Sequence, residues 1–323
     1  MNIISKTKLW LSISATLIIV SIIFVTGFGL RLGIDFTGGS FLEVNYTVDR
    51  PEVSIMQEKV DALEIGTINI QPIGETGVVL RLKDIGEEDH QKIMQALRDA
   101  TNTQEETDDL VVESTDDDGL AVVEVNTSGD DILEELRFDS VGPSIGQELK
   151  EKSLYAAIIV LILIVAYIAY SFRKVSKPVA SWKYGIAAIV ALFHDVLIVL
   201  GVFALLGRFM GVEIDTAFVA AVLTVLGYSV NDTIVVFDRI RENLPRSDKD
   251  FSSTVNDSLN QTIGRSINTS ITTLLVLLSL LFWGGDTIHY FVLALVIGAV
   301  AGTYSSIFLA SPLLTFWERK QKQ

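Results

Sequence analysis

Six apolar runs, each close to the roughly 20 residues needed to cross a bilayer as a helix, dominate the pattern of hydrophobic and polar positions. They extend from Leu9 to Leu30, Leu154 to Phe172, Tyr184 to Leu206, Ala217 to Phe237, Ile271 to Trp283 and Tyr290 to Phe316. The fifth is short as an uninterrupted run and reaches spanning length if its helix begins near Thr262 and takes in Arg265. Between the first and second runs the pattern changes character. Phe36 to Tyr46 reads as a strand, Pro51 to Leu63 as a helix with Pro near its first position, and Thr67 to Ile73 as a strand. Gly77 to Lys83 follows as another strand after a Gly74-Glu75-Thr76-Gly77 turn, and Glu87 to Thr101 returns to helical spacing through Ile93, Met94 and Leu97. Leu110 to Ser114 and Leu120 to Val125 flank Asp116-Asp117-Asp118-Gly119 as a hairpin would. Phe138 to Lys152, with Gly142-Pro143 and Gly146, reads as a re-entry linker or an amphipathic lead into the second span. The order βαββα followed by strand material predicts a ferredoxin-like α+β domain, two helices on one sheet face. The expected fold class is a polytopic α-helical membrane protein of six transmembrane helices, with that α+β domain between helices 1 and 2.

Composition supports the membrane reading, with 49% hydrophobic residues and a mean hydropathy of +0.44. The first run follows Lys6 and Lys8 as a signal peptide would, but its apolar part exceeds the roughly 7 to 15 residues of a signal core, so it is read as an uncleaved anchor. With six spans both ends fall on one side. Lys6, Lys8, Arg173, Lys174, Lys177, Lys183, Arg239, Arg241, Arg246, Lys249, Arg265, Arg319, Lys320 and Lys322 fall there too, which assigns that side to the cytoplasm. The opposite short connections contain only Arg208. The segment from Arg31 to Lys152 carries about 29 Asp and Glu against about 10 Lys and Arg, an excess larger than the formal net charge of -15 of the whole chain. Such a domain is poorly suited to nucleic acid or anionic lipid. The expected organisation is residues 1–30 as cytoplasmic N-terminus and first span, 31–152 as the acidic extracytoplasmic domain, 153–316 as a five-helix core and 317–323 as a cytoplasmic tail, in the cytoplasmic (inner) membrane.

Enzymatic and cofactor chemistry find no foothold in the sequence. Asp116-Asp117-Asp118-Gly119 lacks the ligand spacing and terminal Glu of a calcium loop. Gly38-Gly39 is followed by no Gly-Lys-Ser/Thr, so no nucleotide loop is expected, and three His without Cys leave no metal centre to expect. Work done by this chain then draws on an ion gradient or a partner. Ionisable groups inside the spans are the candidates, because a charge in the membrane interior is costly and usually functional. Asp232 lies in Gly227-Tyr228-Ser229-Val230-Asn231-Asp232-Thr233, Arg265 near the start of the fifth span, and His194 and Asp195 in the middle of the third. The fourth and fifth spans are joined by a cytoplasmic loop, which puts Asp232 and Arg265 at similar depths if the two helices pack. Tyr228 and Ser229 precede Asp232 on the same helix face, and Asn268 and Thr269 stand similarly after Arg265. Two readings are open for the pair: a proton site, or a structural ion pair. For Asp195 they are a relay station or a simple hydrogen bond to a neighbouring span, and since adjacent helical positions point about 100° apart, His194 and Asp195 are not expected to face one partner equally. Asn231, Ser229 and Thr233 also supply oxygen atoms, which keeps sodium open beside the proton.

Gly227-Tyr228-Ser229-Val230-Asn231-Asp232-Thr233-Ile234-Val235-Val236-Phe237-Asp238-Arg239-Ile240-Arg241-Glu242-Asn243 closely resembles the fourth-span signature of the SecF family of protein-export membrane subunits. Asp35-Phe36-Thr37-Gly38-Gly39-Ser40, Ser140-Val141-Gly142-Pro143 and His194-Asp195-Val196 resemble further motifs of that family in the right order, so the resemblance covers the whole chain. It implies a subunit working with SecD beside the SecYEG channel, using the proton-motive force to draw a preprotein across the membrane, with a membrane core similar to that of resistance-nodulation-division transporters. It also implies Asp232 as the proton-path carboxylate and Arg265 as its partner. The anchors Phe36-Thr37-Gly38-Gly39 and Gly142-Pro143 then read either as a hinge of the outer domain or as rigid tight turns. The alternatives are a proton-driven exporter of small or lipidic substrates, and a non-energised adaptor that stabilises SecD.

Overall fold

The computed structural model describes residues 2–105, 132–171 and 180–321. The expected strands Leu110 to Ser114 and Leu120 to Val125 with their Asp116-Gly119 turn lie outside the described residues, as do Arg173, Lys174, Lys177 and Lys322. Among the described residues the elements run α1 (Thr7–Phe28), α2 (Ile34–Thr37), β1 (Gly39–Tyr46), α3 (Val53–Asp61), β2 (Asn69–Ile73), β3 (Gly77–Leu82), α4 (Glu87–Glu105), β4 (Leu133–Val141), α5 (Pro143–Ser171), α6 (Ser181–Met210), α7 (Thr216–Asn243), α8 (Phe251–Trp283), α9 (Asp286–Ser305) and α10 (Ser311–Gln321), with a π turn at Ser306–Ala310 between the last two. The chain divides into two compact units, Gly33–Lys150 and Met1–Leu32 with Glu151–Gln323.

In the smaller unit the strand order is β2-β3-β1-β4 with antiparallel pairing throughout, which together with the βαββαβ element order is the expected ferredoxin-like arrangement. Alternate residues of β1, Leu42, Val44 and Tyr46, join Met56 and Val60 of α3 and Ile93 and Leu97 of α4 in one buried core. The first strand starts later than its hydrophobic pattern predicts. Phe36 sits in the single turn of α2, and Gly38 and Gly39, at φ 74° and 128°, then swing the chain into β1. Pro51 precedes α3, whose first residue is Val53. Of the two readings of Phe138 to Lys152, a re-entry linker or a lead into the second span, the helix from Pro143 fits the second. Phe138 belongs to β4, and Pro143, having no N–H to leave unpaired, opens α5 one residue after that strand ends.

Tyr46 fixes this core by a polar contact. Its hydroxyl donates to the Leu97 carbonyl at 3.1 Å, and burial pushes the phenol's pKa upward. Tyr46→Phe is expected to destabilise the unit by about 1 kcal/mol. Amide hydrogen exchange along α4 in the intact, detergent-solubilised protein should quicken several-fold near Leu97. Unchanged protection would show that the bond contributes nothing.

Among the described residues, six helices are long and apolar enough to cross a membrane: Ile4–Phe28, Pro143–Ser171 (which begins within the smaller unit), Trp182–Met210, Thr216–Arg246, Phe251–Trp283 and Thr287–Glu318. Large side chains such as Tyr184, Phe203 and Phe237 fill parts of the bundle core, but α1, α8 and α9 pack largely through small and polar residues, while many large apolar side chains point outward, as expected where lipid replaces water. On α1 the buried positions are Thr7, Ser14 and Ser21, spaced by seven, whereas Leu9, Ile13, Ile19 and Ile23 are exposed. Ser21 lies against Gly201 of α6, where an added Cβ would come within 2.8 Å of the Ser21 Cα. On α8 the buried stripe is Thr254, Ser258, Thr262, Ser266 and Ser270. Several of these hydroxyls satisfy themselves within the helix, Ser258 on the Thr254 carbonyl at 2.8 Å and Thr262 on the Ser258 carbonyl at 3.0 Å. That explains why the helix begins at Phe251, well before its apolar run, with Asp250 capping it through the Ser253 N–H. On α9, Gly298 and Gly302 form a Gly-x-x-x-Gly pair against Val225 and Ser229 of α7. Pro312 cannot donate the N–H that a regular helix would return to Phe308, and the chain widens into the π turn just before it.

Candidate functional site

Asp215 starts α7 by accepting the Phe218 N–H at 2.7 Å, and the helix then carries Asp232 to the place where α8 and the end of α9 approach it. Asp232 is half-buried. Ser266 of α8 donates to its Oδ1 at 2.5 Å, and Ser306, the first residue of the π turn, donates to its Oδ2 at 2.5 Å. Serine hydroxyls both donate and accept, so the pair can serve an ionised carboxylate or accept the hydrogen of a neutral one. A carboxyl held in this way can change its charge without leaving an orphaned partner.

Arg265 does not answer Asp232. It lies on the exposed face of α8, and no ion pair joins the two among the described residues. The reason is helical phase: Ser266, the very next residue, faces α7, and a rotation of about 100° per residue turns Arg265 away. Asn268 and Asn231 are exposed as well, and among the described residues their side chains give Asp232 no hydrogen bond. Thr233 is buried but gives Asp232 no hydrogen bond. The polar residues expected on one face with Asp232 are shared among three partners. The Tyr228 hydroxyl donates to Ser270 at 3.1 Å, which is linked to Thr303 at 2.5 Å. Ser229 donates to Asp195, not to Asp232.

Asp195 is thus a second carboxylate centre, and both it and His194 are fully buried. Oδ1 of Asp195 lies 2.9 Å from His194 Nδ1, and Oδ2 accepts from Ser229 at 2.5 Å and from Ser305 at 2.7 Å. The two adjacent residues do face different neighbours, as their helical phase requires, yet they also meet each other. Asp195 turns to α7 and α9, while the His194 ring stacks on Tyr304 at 5.8 Å, whose hydroxyl is 3.2 Å from Ser14 of α1.

The glycine motif of the smaller unit is closely packed. A Cβ on Gly38 would lie 2.7 Å from the Pro143 Cα, one on Gly39 would lie 2.7 Å from the Leu82 carbonyl oxygen, and one on Gly146 would lie 2.9 Å from the Gly38 nitrogen. Phe36 is buried and Thr37 Oγ1 bonds the Gly33 carbonyl at 3.0 Å. Gly142 is the single residue between β4 and α5. The residues that sequence reasoning passes over are Ser266, Ser305, Ser306, Gly298 and Gly302. Hydroxyls recurring every fourth position along α8, and a Gly-x-x-x-Gly step followed by Ser-Ser in an apolar helix, were the available signals.

A family model described as "Protein export membrane protein SecD/SecF, C-terminal" matches residues 122–320. A second, "SecD/SecF GG Motif", matches residues 23–48. Among curated proteins, the chain is 42% identical over 320 residues to a protein translocase subunit SecF of Thermobaculum terrenum, covering 95% of this chain and 91% of that protein. It is 38% identical to the corresponding subunit of Anaerolinea thermophila, covering 98% and 94%. Among solved structures it is similar to SecDF, a translocon-associated membrane protein from Thermus thermophilus, with a TM-score of 0.76 and 29% identity over 99% of this chain. It spans only 39% of the length of that SecDF chain.

Proposed function

The chain belongs to the SecD/SecF family of protein-export membrane proteins, and from that premise we propose that it serves as the SecF-type subunit of a Sec translocase, with proton exchange at Asp232 as its energy input. The observation that carries the proposal is the double tether of Asp232, to Ser266 on α8 and Ser306 beyond α9. An ionised Asp232 draws both hydroxyls toward α7. A protonated one accepts at one oxygen and donates from the other, so one serine turns its own hydrogen away from Asp232, as Ser306 can toward the Thr303 carbonyl at 3.0 Å. Three helices are thereby biased between two packings by one proton. A charge crossing the whole membrane potential contributes about 2.3 kcal/mol per 100 mV, comparable to the gap between such states. Transmitted to the acidic domain, the repacking would move a preprotein emerging from the SecYEG channel. The lysine and arginine distribution supports cytoplasmic termini and an extracytoplasmic acidic domain.

Arg265, Asn268 and Asn231 lie exposed on spanning helices, where lipid contact is unfavourable. Their exposure supports a protein partner on that face, and SecD is the partner proposed, in line with the greater length of the SecDF chain. Arg265→Ala should weaken co-purification with SecD several-fold without loss of membrane insertion. Equal recovery of SecD would remove Arg265 from the interface. The reading as a whole is tested by precursor release from vesicles containing the assembled translocase under an imposed pH gradient or an imposed sodium gradient. Acceleration by the pH gradient alone is expected; acceleration by sodium alone at clamped pH would replace the proton with sodium, and acceleration by neither would reduce the chain to an adaptor.

A further inference from the structure

We propose that His194 and Asp195 form a second proton-exchanging site, coupled to Asp232 through the consecutive serines Ser305 and Ser306. With Asp195 ionised, its Oδ1 at 2.9 Å holds the hydrogen on His194 Nδ1, and Ser229 and Ser305 donate to Oδ2. The other ring nitrogen, Nε2, is buried and has no hydrogen-bond partner among the described residues. It then presents a free lone pair inside the helix bundle, and a buried polar atom left in that state is costly. A proton joining Nε2 removes that orphan's basicity and converts the pair from carboxylate plus neutral imidazole, net charge minus one, to carboxylate plus imidazolium, net charge zero. The proton is supplied by hydronium, whose O–H bond breaks as the N–H bond forms, and release from Nε2 to water reverses the step. Of the ionisable groups on the helices packed around them, Tyr304 of α9 touches the imidazole and Asp232 of α7 lies three residues beyond Ser229. From α1 comes only Ser14, through the Tyr304 hydroxyl. Glu318 of α10 and Lys183 of α6 are buried but make no hydrogen bond or ion pair with the dyad.

The coupling rests on a juxtaposition at the end of α9. Ser305 donates to Asp195 and Ser306 to Asp232, so neighbouring residues hold two carboxylates on two different helices. Each serine also has an acceptor on its own helix: Ser305 lies 3.2 Å from the Gly302 carbonyl and Ser306 3.0 Å from the Thr303 carbonyl. A hydroxyl released by one carboxylate therefore has a bond to return to. The return happens where the α-helix passes into the π turn, a feature frequent at functional sites. Movement of Ser306 is movement of Ser305, and a proton at one acid changes the hydrogen bonds offered to the other.

The inference deepens the reading of Asp232 as a proton site, and its test separates the two. The full chain, co-purified with SecD and labelled with ¹⁵N-histidine, is titrated from about pH 4 to 9 and followed by NMR, the His194 signal being the one missing in His194→Gln. His194 is expected to change protonation within that range, and its midpoint to move by a factor of about 3 in proton affinity in Asp232→Asn. Ser305→Ala with Ser306→Ala should abolish the movement while leaving the titration. A His194 that holds one protonation state throughout, or a midpoint indifferent to Asp232→Asn, overturns the inference. Failure of the Asp232 reading shows elsewhere, as gradient-driven precursor release unchanged in Asp232→Asn, whatever His194 does.

Discussion

Asp232→Asn is expected to abolish the gradient-dependent part of precursor export while leaving the subunit in the membrane and bound to SecD. The substitution is close to isosteric. The asparagine oxygen can accept from Ser266 as Asp232 Oδ1 does, and the asparagine nitrogen can donate to Ser306, whose own hydrogen then turns to the Thr303 carbonyl at 3.0 Å. No buried group is orphaned, so the cost to the fold stays within about 1 kcal/mol. What disappears is the exchangeable proton, and with it the bias of about 2.3 kcal/mol per 100 mV that a charge moving across the potential supplies. That bias corresponds to roughly 50-fold in the equilibrium between packings at 100 mV, and gradient stimulation should collapse toward the level seen without a gradient. Precursor release from vesicles measures it directly, with quantified SecD co-purification as the control for assembly. Full stimulation in the variant would remove Asp232 from the energy path. Asp232→Glu keeps the proton but lengthens the arm by one methylene, forcing Ser266 and Ser306 apart, and intermediate activity is expected.

The positions of the spans and the ferredoxin-like order were legible because both follow from patterns that survive any tertiary context. A run of apolar residues long enough to cross lipid has few alternatives, and β1 alternates Leu42, Val44 and Tyr46 inward as period-two burial requires. Element ends were less legible. Phe36 reads as strand by side chain, yet the two glycines after it carry backbone angles that end one element and begin another.

The site was half legible. Asp232 and Asp195 stand out because charge in an apolar run is conspicuous. Their partners do not, because helical phase decides which neighbour faces inward, and around the two acids the inward faces of α8 and α9 carry small hydroxyls and glycines that are inconspicuous in the sequence. Arg265 drew attention by its charge, whereas Ser266, one position on, makes the contact. The four-residue recurrence of Thr254, Ser258, Thr262, Ser266 and Ser270 fixes that phase, but it is a recurrence of modest residues and easily passed over.

Gly302→Leu should prevent the subunit from accumulating at all, because it acts on the contact that holds both acids in place. A Cβ at Gly302 would stand 2.9 Å from the Ser229 Cβ and 3.1 Å from its Cα, and a backbone cannot swing aside as a side-chain tip can. The leucine's further atoms have nowhere to go unless α9 withdraws from α7. That withdrawal has consequences beyond the overlap itself, which costs about 1–3 kcal/mol. Ser305 and Ser306 ride on the displaced segment, and both carboxylates lose a donor, at roughly 1–3 kcal/mol for each buried partner left unsatisfied. The sum reaches the range of a whole domain's stability, about 5–15 kcal/mol. Membrane abundance after a translation block should fall at least several-fold, whereas Gly302→Ala, whose single methyl group demands a smaller shift, should retain part of it. Combining Gly302→Ala with Ser229→Gly restores the lost space at the cost of one donor to Asp195, and abundance should recover beyond that of Gly302→Ala alone. Normal abundance of Gly302→Leu would mean that α7 and α9 separate freely, and the two acids could not then share a hydrogen-bonded link through Ser305 and Ser306.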